Sequence, residues 1–155
     1  MGTVLTRDVL EAHLNELREQ GKSIVSTNGC FDILHVGHVR ILKQSKALGD
    51  ILVVGINSDA SVKKLKGEDR PINTQDDRAE LLSSLECVDI VSIFDEGTPV
   101  EFLKVVRPNI HVKGADYKPK DLEETPVVES FGGEVRILPL VPHKSTTSLV
   151  EKIRN

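Results

Sequence analysis

The chain has 155 residues, 39% apolar and 28% charged, the balance of one globular domain with material for a sizeable core. Its formal charge is −4, from 20 basic and 24 acidic residues, so wholesale nucleic-acid binding is not expected and any cationic site must be local. Trp is absent, Tyr117 is the single Tyr, no apolar run is long enough to span a bilayer and Met1 opens no signal-peptide pattern, which argues against base stacking along a nucleic acid, membrane insertion and export. Cys30 and Cys87 sit in apolar contexts and read as free thiols of a reducing cytoplasm.

Residues 6–20 carry Val9, Leu10, Leu14 and Leu17 at helical spacing behind Thr6, a candidate cap. Ile24-Val25-Ser26 begins a first strand. The spacing predicts a helix from His38 to Leu48, stopped by Gly49. Ile51–Ile56 is almost wholly apolar, as a central parallel strand should be. Next comes a basic stretch, Lys63, Lys64, Lys66 and Arg70, broken by Gly67, Glu68, Asp69 and Pro71. It reads as a mobile, phosphate-gripping lid, although a charge run is usually just solvated surface. Residues 75–86 are predicted as a helix, Val88–Phe94 as a strand, and Val100–Val106 as a helix ending before Pro108. Ile110–Val112 and Val135–Leu140 complete five predicted strands, and Ser145–Arg154 is the closing helix. Buried strands alternating with helices imply right-handed βαβ units and a parallel sheet covered on both faces. Ligands of such sheets bind beyond the carboxyl ends of the strands. Asn28–His38, Asn57–Asp59, Lys113–Tyr117 and His143–Thr147 all fall there.

The segment Thr27-Asn28-Gly29-Cys30-Phe31-Asp32-Ile33-Leu34-His35-Val36-Gly37-His38 is the most informative. Histidines at this spacing often do no more than cap a helix or pack in a core. Asp32, His35 and His38 could bind zinc, but no fourth ligand stands at a matching spacing, so no metal site is assigned. A third reading follows from Asn28-Gly29, a turn signal at a strand end, and from Gly37, where backbone can approach a ligand closely. If a helix opens here, both imidazoles lie where its N-terminus gathers phosphate.

That segment resembles the signature of the cytidylyltransferase-like nucleotidyltransferase superfamily: a Gly, a small residue, Phe, Asp, two apolar residues, then His-x-Gly-His. The resemblance implies a Rossmann-like sheet of the His-x-Gly-His type. It also implies transfer of a nucleotidyl group to a phosphorylated acceptor, with His35 and His38 on the triphosphate and Asp32 on the acceptor side. Ser145-Thr146-Thr147 resembles the family's Ile-Ser-Thr-Thr phosphate-binding element, with Lys144 in place of the Ile. The Arg-Thr-Glu-Gly that precedes it in glycerol-phosphate cytidylyltransferases is missing.

Asn57–Gly67, Arg70-Pro71-Ile72-Asn73, Asp77-Arg78 and Val112-Lys113-Gly114-Ala115-Asp116-Tyr117 resemble the sugar-phosphate adenylyltransferases of the heptose pathway. Ala115 replaces a second Gly, and Pro142-His143 is unusual for that branch. The resemblance implies ATP and a heptose 1-phosphate as substrates, Mg²⁺ on the triphosphate, and a homodimer. Catalysis would fall to His35, His38 and Lys66. Asn28, Gly29, Cys30, Phe31, Gly37, Asn57, Lys113, Gly114, Asp116, Tyr117, Ser145, Thr146 and Thr147 would bind the nucleotide, and Asp32, Arg70 and Arg78 the acceptor. The competing readings are a cytidylyltransferase acting on glycerol phosphate or another phospho-alcohol, a nucleotide-binding regulatory module without catalysis, and a metal-binding protein.

Overall fold

In a computed structural model that describes residues 2–139 and 145–154, the apolar runs form parallel strands. Among the described residues there are six: β1 (Thr3–Val4), β2 (Ile24–Gly29), β3 (Ile51–Asn57), β4 (Ile90–Phe94), β5 (Ile110–Gly114) and β6 (Glu134–Leu138). Their order in the sheet is β1-β4-β3-β2-β5-β6. The chain therefore builds outward from β2 in one direction through β3 and β4, then returns to its other edge with β5 and β6. That reversal is a topological switch point, and it opens a crevice at the carboxyl ends of β2 and β5. Thr27 lies in register with both Val54 and Val112, so the ends of β2, β3 and β5 come together.

The helices are α1 (Arg7–Glu19), α2 (Val36–Lys46), α3 (Asp59–Lys66), α4 (Gln75–Ser83), α5 (Val100–Val106), α6 (Glu124–Ser130) and α7 (Thr146–Arg154). Side chains alternate across each strand, and β3 divides its residues accordingly. Leu52, Val54 and Ile56 pack with Leu42 of α2 and Ala79 and Leu82 of α4. Val53 joins Leu10 and Leu14 of α1, Phe102 and Leu103 of α5 and Val128 of α6 on the opposite face. Gly55 has a packing reason: a Cβ there would lie 2.8 Å from the Phe102 ring.

Several expectations are corrected. The sheet has six strands rather than five, because two-residue β1, exposed at the edge beside β4, is too short to show a period. The basic stretch is mostly helix α3, capped by the Ser58 hydroxyl, which accepts the Ser61 amide, with Val62 buried beneath it. Its turn begins only at Gly67, whose φ of 107° is left-handed. Helix α2 opens at Val36 with His35 as its cap, not at His38. Helix α6 was not foreseen. The predicted helix over 75–86 ends at Ser83, and the strand predicted from Val88 begins at Ile90. Leu140, Pro142, His143 and Lys144 lie outside the described residues.

Candidate functional site

A cleft of about 720 Å³ lies over the switch point, a volume suited to a nucleotide-sized ligand. Asn28, Gly29, Cys30, Phe31 and Asp32 line it from the end of β2, and His35, Gly37 and His38 from the start of α2. Asn57, Lys66 and Arg70 contribute from the β3 side, Lys113, Gly114, Asp116 and Tyr117 from the β5 side, and Ser145, Thr146 and Thr147 from the start of α7. Of the residues assigned a catalytic, nucleotide-binding or acceptor-binding role, Arg78 alone is absent from its wall, and Lys63 and Lys64 of the basic stretch do not line it either.

The turn from β2 into α2 is held by Phe31, whose φ of 49° is left-handed. His35 then caps α2. Its Nδ1 accepts the Gly37 amide at 3.1 Å, and its own amide donates to Nδ1 of His38 at 3.3 Å. Both Nδ1 atoms are acceptors, so in the neutral rings both protons sit on Nε2. The imidazoles stack with centroids 3.7 Å apart, and His38 tilts against Phe31 at 5.0 Å. Burial, reinforced by the neighbouring His35, pulls the His38 pKa from 6.5 to about 4. His38 is therefore a neutral donor at physiological pH.

A second histidine is buried nearby. His111 is fully inaccessible; Ser26 Oγ lies 2.7 Å from its Nδ1, while its Nε2 has no hydrogen-bond partner among the described residues. Burial and the Lys113 charge take its pKa to about 3. Both folded-state values lie below the unfolded value, so the unfolded chain binds more protons as the pH falls. Stability should be full above about pH 6.5 and decline on acidification toward pH 4, by on the order of 3 kcal/mol from His38 alone. Urea unfolding at pH 7, 5.5 and 4.5 measures this, and a flat profile would contradict it.

Asp32 is fully buried and accepts from the Ile72 and Asn73 amides at 2.8–2.9 Å and from Arg70 Nε at 2.7 Å. Burial alone would raise its pKa, but those hydrogen bonds and the Arg70 charge outweigh it and hold the carboxyl below its usual range. Asp32 thus pins the 70–73 segment to the cleft. The terminal nitrogens of Arg70 have no partner among the described residues and are left for a ligand. In Asp32→Asn an N–H would meet donors, and exchange of the Ile72 and Asn73 amides should speed up tenfold or more. Unchanged protection by hydrogen-exchange NMR would refute the pinning.

Arg78 corrects the expectation that it grips the acceptor. It is fully buried beneath the cleft, donating to the carbonyls of Cys30, Asn57 and Asn73 and to Asp59 at 2.8–3.1 Å. No nitrogen of it reaches the cleft. It locks the ends of β2 and β3 to the 70–73 segment instead. Cys30 is a protonated thiol, its pKa raised by burial, and its Sγ lies 3.9 Å from Asn57 Oδ1.

At α7 the three hydroxyls separate. Ser145 Oγ accepts the Ser148 amide as a cap, and Thr146 Oγ1 donates to the Ile33 carbonyl at 3.0 Å. Only Thr147 carries a hydroxyl without a partner among the described residues. The N-termini of α2 and α7 both meet the cleft, and each contributes partial positive charge. Lys66 adds a full charge at the end of α3.

The β5 side holds a residue the sequence did not reveal. Glu124, first residue of α6, is 4% exposed, lines the cleft and lies 3.6 Å from Lys113 Nζ. Burial pulls the Lys113 pKa down against the opposing pull of Glu124. Pro126 in the first turn of α6 is the one signal that marks this helix start. Among the described residues, no cluster of three or more His, Cys, Asp or Glu side chains forms a metal cage, and no helix is long and apolar enough to cross a membrane.

Comparison with known proteins agrees with this architecture. The chain is 56% identical over 146 residues to the bifunctional protein HldE of Nitratiruptor sp., covering 94% of this chain and 31% of that one. It is 50% identical over 147 residues to the bifunctional protein HldE of Syntrophotalea carbinolica, covering 95% and 29%. It thus spans about three-tenths of the length of these curated relatives. Among solved structures, the lipopolysaccharide core biosynthesis protein from Thermoplasma volcanium superposes with a TM-score of 0.65 at 35% identity, over 80% of this chain and 100% of that one. Pantoate-beta-alanine ligase from Francisella tularensis shares the fold at 15% identity with a TM-score of 0.68, over 98% of this chain and 73% of that one. The profile of the cytidylyltransferase-like family matches residues 26–152, and the chain belongs to that family.

Proposed function

We propose that this chain is an adenylyltransferase of the His-x-Gly-His type, moving AMP from ATP to a sugar 1-phosphate of the heptose class. The products are an ADP-sugar and pyrophosphate, made in the cytoplasm as a precursor of a surface glycoconjugate. One observation carries the proposal. The neutral His38 imidazole with its proton on Nε2, the His35 imidazole stacked on it, two helix N-termini, Lys66 and Arg70 converge on one cleft, an assembly suited to charge growing on a phosphate. The names and identities of the HldE relatives and of the lipopolysaccharide core biosynthesis protein support the acceptor class.

In this mechanism an oxygen of the sugar phosphate attacks the α-phosphorus, and the bond from that phosphorus to the bridging oxygen of pyrophosphate breaks. The acceptor phosphate is already ionised, with a second pKa of about 6, so no general base is required. The chain aligns the reactants and stabilises the charge. His38 donates from Nε2 to the α-phosphate or the bridging oxygen, and His35 contacts the triphosphate beside it. Lys66 and the free end of Arg70 hold the acceptor phosphate or the departing pyrophosphate, and Thr147 with the amides of α7 holds the nucleotide phosphates. Asn28 Oδ1, buried without a hydrogen-bond partner among the described residues, accepts from a substrate hydroxyl. The residues present fit Mg²⁺ carried in on the phosphates with much of its water shell. The motif's carboxylate, Asp32, is taken up by the 70–73 segment, and the ion when bound supplies charge screening. The family resemblance further implies a homodimer, which sedimentation would report.

Pyrophosphate release should be fastest with ATP and a heptose 1-phosphate among pairings of ATP or CTP with sugar 1-phosphates and glycerol 3-phosphate. Faster release from CTP and glycerol 3-phosphate would replace this proposal with a phospho-alcohol cytidylyltransferase.

A further inference from the structure

Lys113 and Glu124 form a largely buried ion pair in the wall of the cleft. Their side chains are 11% and 5% exposed, yet Nζ and Oε2 stand 3.6 Å apart, beyond hydrogen-bond length. Neither head group makes a hydrogen bond to any other described residue. Two charges withdrawn from water need their remaining hydrogen-bonding capacity met, and both residues line the cleft. Tyr117 borders the same corner, its ring centre 5.2 Å from Nζ, and gives it an apolar side. The ion pair therefore offers a ligand one strong donor beside one strong acceptor.

Resting on the adenylyltransferase reading, we infer that Lys113 and Glu124 select the nucleobase by its amino edge. Glu124 accepts from the exocyclic amine and Lys113 donates to the adjacent ring nitrogen. Adenine and cytosine carry this amine-beside-nitrogen pattern. Guanine and uracil carry its inverse, a carbonyl beside a ring N–H, which would set oxygen against carboxylate and N–H against ammonium. A site built on buried polar groups rejects the mismatched ligand strongly, because those groups are then left unpaired. The pair, on β5 and α6, lines the same cleft as His35 and His38, so one substrate can engage both.

The test compares ATP, inosine triphosphate and 2′-deoxy-ATP in wild type, Glu124→Gln and Lys113→Met, by calorimetric binding and by pyrophosphate release. Circular dichroism establishes that each variant is folded. Wild type should prefer ATP to inosine triphosphate by ~10²-fold or more. Glu124→Gln should bring that ratio below tenfold, leaving the ratio of ATP to 2′-deoxy-ATP unchanged. A variant that keeps the base preference overturns the inference. So does one in which only the 2′-deoxy ratio moves, since the carboxylate would then read the ribose. Should Glu124→Gln not fold, Lys113→Met alone carries the same comparison. Wild type that binds ATP selectively but releases no pyrophosphate with any acceptor would uphold the base reading and sink the transferase.

Discussion

His38→Ala lowers turnover by ~10²-fold or more while nucleotide affinity falls far less. The position of the His38 proton decides this. The His35 amide donates to His38 Nδ1, so the neutral ring carries its proton on Nε2, and a pKa near 4 keeps it neutral through the physiological range. A donor already in place gains most as charge grows on the phosphate, and less in the ground state. His38→Gln, which keeps a neutral N–H donor, should recover part of the loss. Turnover should also show no titration of His38 between pH 6 and 8. Steady-state kinetics of both variants measure this, and near-wild-type turnover in His38→Ala would remove His38 from the mechanism.

Arg78→Met destabilises the fold by about 3–5 kcal/mol, the range for removing one member of a buried polar cluster. Met matches much of the volume but donates nothing. The carbonyls of Cys30, Asn57 and Asn73 lose the partner that joins them, each at about 1–3 kcal/mol if it stays dry. Asp59 contributes less, since its side chain is 36% exposed and can be rehydrated. Arg78→Lys should recover little, because one ammonium cannot span the four directions a guanidinium reaches. Urea unfolding reports the change, and a loss under about 1 kcal/mol would mean that the cluster is not the clamp it resembles.

The contrast between these two residues shows what the sequence could and could not disclose. The segment from Asn28 to His38 places two imidazoles near a helix start by spacing alone. That His35 is itself the cap, and that both Nδ1 atoms are taken, depends on backbone angles no spacing reveals. Arg78 reads as one more cation beside an anion site, because burial is invisible one residue at a time. Ser145, Thr146 and Thr147 read alike as hydroxyls, although among the described residues only Thr147 lacks a hydroxyl partner. Strand β3 and helix α1 were legible because long periodic or apolar runs leave few alternatives. β1 was too short to show a period. α3 was masked by its lysines, with only Val62 and Leu65 to mark a face. Glu124 was hidden because its helix went unread, and a lone acidic residue in an unassigned segment carries no signal.

In the proposed reaction the cleft transfers the α-phosphoryl with its nucleoside and expels the other two phosphates. The most direct measurement runs the reaction with ATP labelled at the α or the γ phosphorus, together with a heptose 1-phosphate, and separates the products. The α label should appear in a sugar nucleotide and the γ label only in pyrophosphate. The γ label on the sugar, or neither label leaving ATP with any phosphorylated acceptor, would contradict it.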